Sequence, residues 1–229
     1  MSLRAQGAKQ SPVRKPLHRW RDAFLFPFAC IILLSCSPDV PRTTPRLVTV
    51  YSTFAAEPWL PSLYVCAESV ALLSRVDTPD GADIALRVGE PEFLDLPAFQ
   101  IDTEEILIVT HRQSPVQNLT LEQVRALFKE HGDPSVQVWA YASGEDVQEV
   151  FDRVVMADRS VAPSIRIAVH PQQISDTLVN ESNSVGILPR HWKAGDVREV
   201  FSVATVPVLA ITRVEPQGLV RELIACLQN

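Results

Sequence analysis

The chain has 229 residues, 46% hydrophobic and 21% charged, and its 21 Lys+Arg against 27 Asp+Glu give a formal net charge of −6. That length holds one large domain or two small lobes with a real core. The acidic balance argues against a nucleic-acid partner and against a broad contact surface for anionic membranes, although a single site can still be positive.

The first segment fixes a compartment. Arg4, Lys9, Arg14, Lys15, Arg19 and Arg21, with Asp22 as the one acid among them, precede the apolar run AFLFPFACIILLSC at 23–36. Basic residues followed by a short apolar run are the pattern of an export signal, and the run is shorter than the roughly 20 residues that span a bilayer. It ends in Leu33-Leu34-Ser35-Cys36, which resembles the lipobox of bacterial lipoproteins. That resemblance implies removal of residues 1–35 as a signal peptide and acylation of Cys36, with diacylglycerol on its sulfur and palmitate as the expected further chain. The protein would then sit lipid-anchored on the outer face of the cytoplasmic membrane, with the remainder soluble. The alternatives are an uncleaved anchor and a chance apolar run before a cysteine. Residues 36–46 are rich in Pro, Ser and Thr without apolar periodicity, which predicts a tether.

The folded part is expected from Leu47. LVTVY (47–51) has the β-branched content of a strand and is followed by Ser52-Thr53. Leu63, Cys66, Val70 and Leu73 recur at helical spacing and predict a helix over 61–74. ADIALRV (82–88) is the next strand, then FQIDTEEILIVT (99–110), read as interrupted. A helix opens at Thr120, where Thr120 and Gln123 form a capping box ahead of Leu121, Val124, Leu127 and Phe128. Strand VQVWAY (136–141) leads through Ser143-Gly144 into a helix carrying Val147, Val150, Phe151 and Val154 on one face. Strand IRIAV (165–169), a helix over 172–179, strand SVGILP (184–189), strands near 197–203 and 205–212, and a helix over 218–227 complete the chain. Strands alternating with helices predict the α/β class, a parallel or mixed sheet covered by helices.

Four cysteines occur. Cys30 leaves with the signal and Cys36 is the lipid site, so Cys66 and Cys226 remain. In an oxidising compartment a bridge from an early helix to the last one is one reading. Two buried free thiols are the other.

The order of segments, with ADIALRV (82–88), EEILIVTHRQSPVQNLTLEQVRALF (104–128), VWAYASGEDVQEVF (138–151), NSVGILP (183–189) and VPVLAITRVEPQGLVRELIACLQ (206–228), resembles the type 2 periplasmic substrate-binding proteins, and within them the phosphate-binding branch of ABC importers. The resemblance covers most of 47–229. It implies a PBP-like domain of two α/β lobes, about 47–111 plus 197–229 and about 112–196, that close on a ligand in the cleft between them. The ligand-binding positions it implies are Ser52 and Thr53 at the end of the first strand and Ser143 and Gly144 at the turn of the other lobe; Arg87 and Glu145 are counted with them as candidate ligand-binding residues from their own chemistry and place. Ordinary turn and cap roles are the alternative for the hydroxyl residues.

One departure bears on the ligand. Glu145 and Asp146 follow Ser143-Gly144, and like charges about 4 Å apart cost on the order of 4 kcal/mol near a surface, which counts against an anion there. Arg87, Arg112 or Arg190 would restore positive potential if they faced the cleft. No Gly-x-Ser-x-Gly, His-Glu-x-x-His or phosphate-cradling Gly-rich loop occurs, so no enzyme, cofactor or metal site is expected. Two functions stay open. One is a monomeric solute-binding lipoprotein that hands a small ligand, a phosphate-like oxyanion first, to an ABC permease. The other is a lipid-anchored sensor or interaction module with a degenerate cleft.

Overall fold

The computed structural model describes residues 46–129, 135–157, 159 and 161–229. The expected signal peptide, the lipid site Cys36 and the tether up to residue 45 lie outside these residues. Among the described residues, no helix is long and apolar enough to cross a membrane.

In chain order the elements are β1 (Arg46–Ser52), α1 (Leu60–Ala67), β2 (Ala71–Arg75), β3 (Ile84–Val88), β4 (Ala98–His111), α2 (Leu121–Phe128), β5 (Gln137–Tyr141), α3 (Asp146–Phe151), β6 (Arg166–Ala168), α4 (Pro171–Asn180), β7 (Ser184–Pro189), β8 (Val197–Ile211) and α5 (Gly218–Leu227). The strands form one mixed eight-stranded sheet in the order β2-β1-β3-β8-β4-β7-β5-β6. The α/β class follows directly: helices cover a sheet whose central strands are apolar on successive positions.

Two long strands carry the sheet from one half to the other. β4 has 14 residues and β8 has 15, and they run antiparallel along their whole lengths. Each looks interrupted in the sequence, and the register shifts between Gln100 and Asp102, Ile106 and Leu107, and Ile108 and Val109 explain why. Bulges absorb an extra residue and add twist without ending the strand, so polar breaks in the apolar alternation do not become turns. The two strands expected near 197–203 and 205–212 are therefore the single strand β8.

The helix expected over 61–74 is shorter. α1 stops at Ala67, Val70 N donates to Ala67 O in a turn, and 71–75 becomes β2, parallel to β1 with Leu47 opposite Leu72. Leu72 and Leu73 fit helical spacing equally well, but the open edge of β1 offers the backbone groups of 71–75 a full set of partners. Arg75 and Ile84 both sit level with Val50, so the chain only steps across β1, about 10 Å, and residues 76–83 need no crossover helix. Between β2 and β3 lies no α-helix but one 3-10 turn, Pro79–Gly81, whose Pro79 and Asp80 border the cavity described below.

α1 and α5 pack on one another, burying Leu63, Leu223 and Ile224. The Sγ atoms of Cys66 and Cys226 are bonded between these helices, with Cα atoms 6.0 Å apart and 160 residues of separation in sequence. α2 keeps its capping box, Gln123 N donating to Thr120 Oγ1 and Thr120 N to Gln123 Oε1. Its Phe128 meets Phe151 of α3 with ring centroids 4.6 Å apart. α3 continues as a π-helical turn, Asp152–Met156.

Candidate functional site

β1 and β3 are parallel neighbours, with Ser52 opposite Leu86, so their ends deliver Thr53 and Val88 side by side. The turn Ala142–Glu145 brings the start of α3 to the same place; its Gly144, at φ +93°, adopts a backbone that favours glycine. Asp146 closes the junction. It is 3% exposed, and its Oδ2 accepts from Thr53 Oγ1 at 2.6 Å and from Val88 N at 2.9 Å, while Oδ1 accepts from Val147 N at 2.9 Å. One carboxylate thus ties together residues 93 and 58 positions away.

Burial pushes the Asp146 carboxyl above its ordinary 3.8, while hydrogen bonds from Thr53, Val88 and Val147 and the charge of Arg87 hold it back in part. A carboxyl raised in the folded state makes ionisation unfavourable to folding: this cost begins as pH rises past the unfolded value and is complete above the folded one. The expected result is that the melting temperature of Asp146→Asn rises relative to wild type between about pH 3 and pH 8. A difference that stays flat over that range would remove Asp146 as the titrating group.

Arg87 is less free than its sequence position implies. Its Nη2 lies 2.7 Å from Glu149 Oε2 and its Nε donates to Gly89 O at 3.1 Å. Burial, and then the charges of Asp146 and Glu149, push Glu145 up as well. Thr53, Arg87, Gly144, Glu145 and Asp146 come together on the wall of a cavity of about 390 Å³. Tyr51, Ala85 and Ile211 also line it, and the segment carrying Phe93, Leu94 and Leu96 contributes an apolar rim. Phe93 is 80% exposed.

Ser52 and Ser143 are not part of this lining. Ser52 is buried and its hydroxyl donates to Thr53 O at 2.9 Å, while Ser143 is exposed. Arg112 and Arg190 also stand elsewhere, Arg112 on Asp196 and Arg190 on Glu105 and Glu199. Arg213, which the sequence reading passed over, joins Arg87 at the cavity. Asp146 was legible only as an acid in the first turn of α3; its contacts with Thr53 and Val88 depend on tertiary register.

A second junction joins residues 54–59 to the other half of the sheet. His170 lies 3.2 Å from Glu57, and His191 Nδ1 lies 2.9 Å from the buried Glu104. Trp192 Nε1 donates to Ala55 O at 3.2 Å, so the Arg190-His191-Trp192 turn packs as structure. Among the described residues, no group of three or more His, Cys, Asp or Glu forms a metal site.

No protein-family model matches this sequence, and no curated protein matches it. Solved structures share the fold at low identity. A putative phosphate ABC transporter substrate-binding protein with bound phosphate from Clostridium perfringens superposes with a TM-score of 0.68 at 14% identity, covering 80% of this chain and 93% of that one. An ABC-type phosphate transport receptor from Vibrio cholerae gives 0.60 at 16% identity, with 80% and 93% covered. The CcmR regulatory domain of Synechocystis PCC6803, in complex with 2-PG, gives 0.59 at 10% identity, with 80% and 95% covered. These neighbours are binding proteins and a regulatory domain rather than enzymes. The type 2 substrate-binding fold is therefore common to this chain, to transport proteins and to regulatory modules.

Proposed function

We propose that this chain is an extracytoplasmic solute-binding protein, tethered through Cys36 and serving an ABC permease as a monomer. The residues about 47–111 plus 197–229 act as one lobe and those about 112–196 as the other, and the ligand sits where they meet. The observation that carries this reading is the cavity of about 390 Å³ on which Thr53 and Arg87 from one side and Gly144, Glu145 and Asp146 from the other converge. That volume suits a small molecule. A phosphate-like oxyanion entering it finds Arg87 and Arg213 as cationic neighbours, since the donors of Thr53, Val88 and Val147 are already engaged by Asp146.

A second reading, a lipid-anchored sensor or interaction module with a degenerate cleft, is favoured by that same engagement. The test is a thermal-shift series on the wild-type protein with phosphate, sulfate, molybdate, tungstate, amino acids and sugars. A ligand that binds only the folded state adds about 2.7 kcal/mol at a hundredfold excess over Kd, which for a chain of this size is about 5–10 °C. A shift of that size with one compound supports capture. Silence over the whole series turns the assignment to the module.

A further inference from the structure

We infer that Asp146 is an internal ligand: its carboxylate fills a three-donor cradle made by Thr53 Oγ1, Val88 N and Val147 N, and so holds the junction between the ends of β1 and β3 and the start of α3 in a liganded arrangement without a solute. The inference concerns the regulation of the cleft and rests on reading that cleft as a binding site.

The geometry is that of a bound carboxylate. Oδ2 takes two donors from two different strands' ends, Oδ1 takes a backbone N–H, all at 2.6–2.9 Å, and Asp146 is 3% exposed. A buried carboxylate is tolerated only where its lone pairs are met in this way. Withdrawing the side chain would leave Val88 N, Val147 N and the Thr53 hydroxyl converging on an empty space, with buried donors that gain by finding a new acceptor. Arg87 stands nearby, and its charge offsets part of the rise that burial imposes on the Asp146 carboxyl. Glu145 and Glu149 flank the same place, and Glu145 is raised by burial and then by the charges of Asp146 and Glu149. The vacated cradle therefore suits a small monoanionic carboxylate better than a dianion. In wild type the attached carboxylate has an effective concentration that no dilute anion matches, so external anions are excluded from the cradle itself.

The experiment is isothermal titration of sodium formate and of inorganic phosphate into the full protein as wild type, Asp146→Gly and Asp146→Asn, with circular dichroism as the check on folding. Asp146→Gly is expected to bind formate at least tenfold more tightly than wild type does and to bind phosphate less tightly than formate. Asp146→Asn retains a side chain in the cradle and is expected to match wild type. If Asp146→Gly is unfolded alone and folds when formate is added, the cradle is equally supported. No gain with Asp146→Gly, or an equal gain with Asp146→Asn, overturns the internal-ligand assignment, because then nothing is displaced. The solute-capture reading fails separately: its failure is a silent wild type in the thermal-shift series, whatever Asp146→Gly does with formate.

Discussion

Reducing the bond between Cys66 and Cys226 is expected to lower the melting temperature by about 10–20 °C, the largest single effect foreseen for this molecule. The two cysteines lie 160 residues apart. On the chain-entropy account, a closed loop of that length restricts the unfolded ensemble by about 5 kcal/mol, and each kcal/mol is worth about 2–4 °C in a domain of this size. The helices it joins are poorly placed to hold together otherwise: α1 has 8 residues and α5 has 10, and neither carries a side-chain cap at its start. Short helices depend on tertiary packing for their stability. Leu63, Leu223 and Ile224 supply that packing, and the bond fixes it. Melting curves of the oxidised protein, the reduced protein and Cys66→Ala/Cys226→Ala check the expectation. The last two should agree with each other; if all three coincide, the bond contributes nothing to folding. A bond of this span fits the extracytoplasmic location proposed above, where thiols are oxidised.

The fold was legible where local signals and tertiary demands coincide. SVGILP matches β7, and the helix read over 218–227 is α5, because β-branched content in one and apolar periodicity in the other agree with burial. The capping box at Thr120 is realised for the same reason. β2 was hidden because 71–75 satisfies helical spacing until the edge of β1 is available to pair with it. The continuity of β4 and β8 was hidden because bulges leave no local mark that separates them from turns. At the candidate site, the cavity brings together Thr53, which follows β1, Arg87, which lies within β3, and Gly144 and Glu145 of the turn before α3; each was open to reading from its place in the sequence, and their binding of a ligand is the proposal made above. What the sequence could not disclose was that Asp146 turns inward: a first-turn acid stabilises a helix just as well when exposed, and only the register of β1 and β3 shows Thr53 and Val88 aimed at it.

Gly89→Ala is expected to cost about 2–5 kcal/mol and to loosen the cradle from outside it. Gly89 closes β3 at φ +74°, a conformation that charges an L-residue about 1–2 kcal/mol. A Cβ there would also stand 2.7 Å from Val150 Cγ2, and Val150 is fully buried with a stiff β-branched side chain. Overpacking of this kind adds about 1–3 kcal/mol. Carbon contacts begin at about 3.5 Å, so α3 must retreat from β3 by several tenths of an ångström. The first bond to lengthen is that from Val88 N to Asp146 Oδ2, now 2.9 Å, since Val88 and Gly89 are consecutive while Asp146 and Val150 are one helical turn apart. The two causes can be separated. Val150→Ala on top of Gly89→Ala removes the clash and leaves the backbone strain, so the double variant should be less destabilised than the two single losses added together. Simple additivity in denaturant unfolding would mean that Gly89 and Val150 do not couple, and that α3 is not set against β3 by this contact.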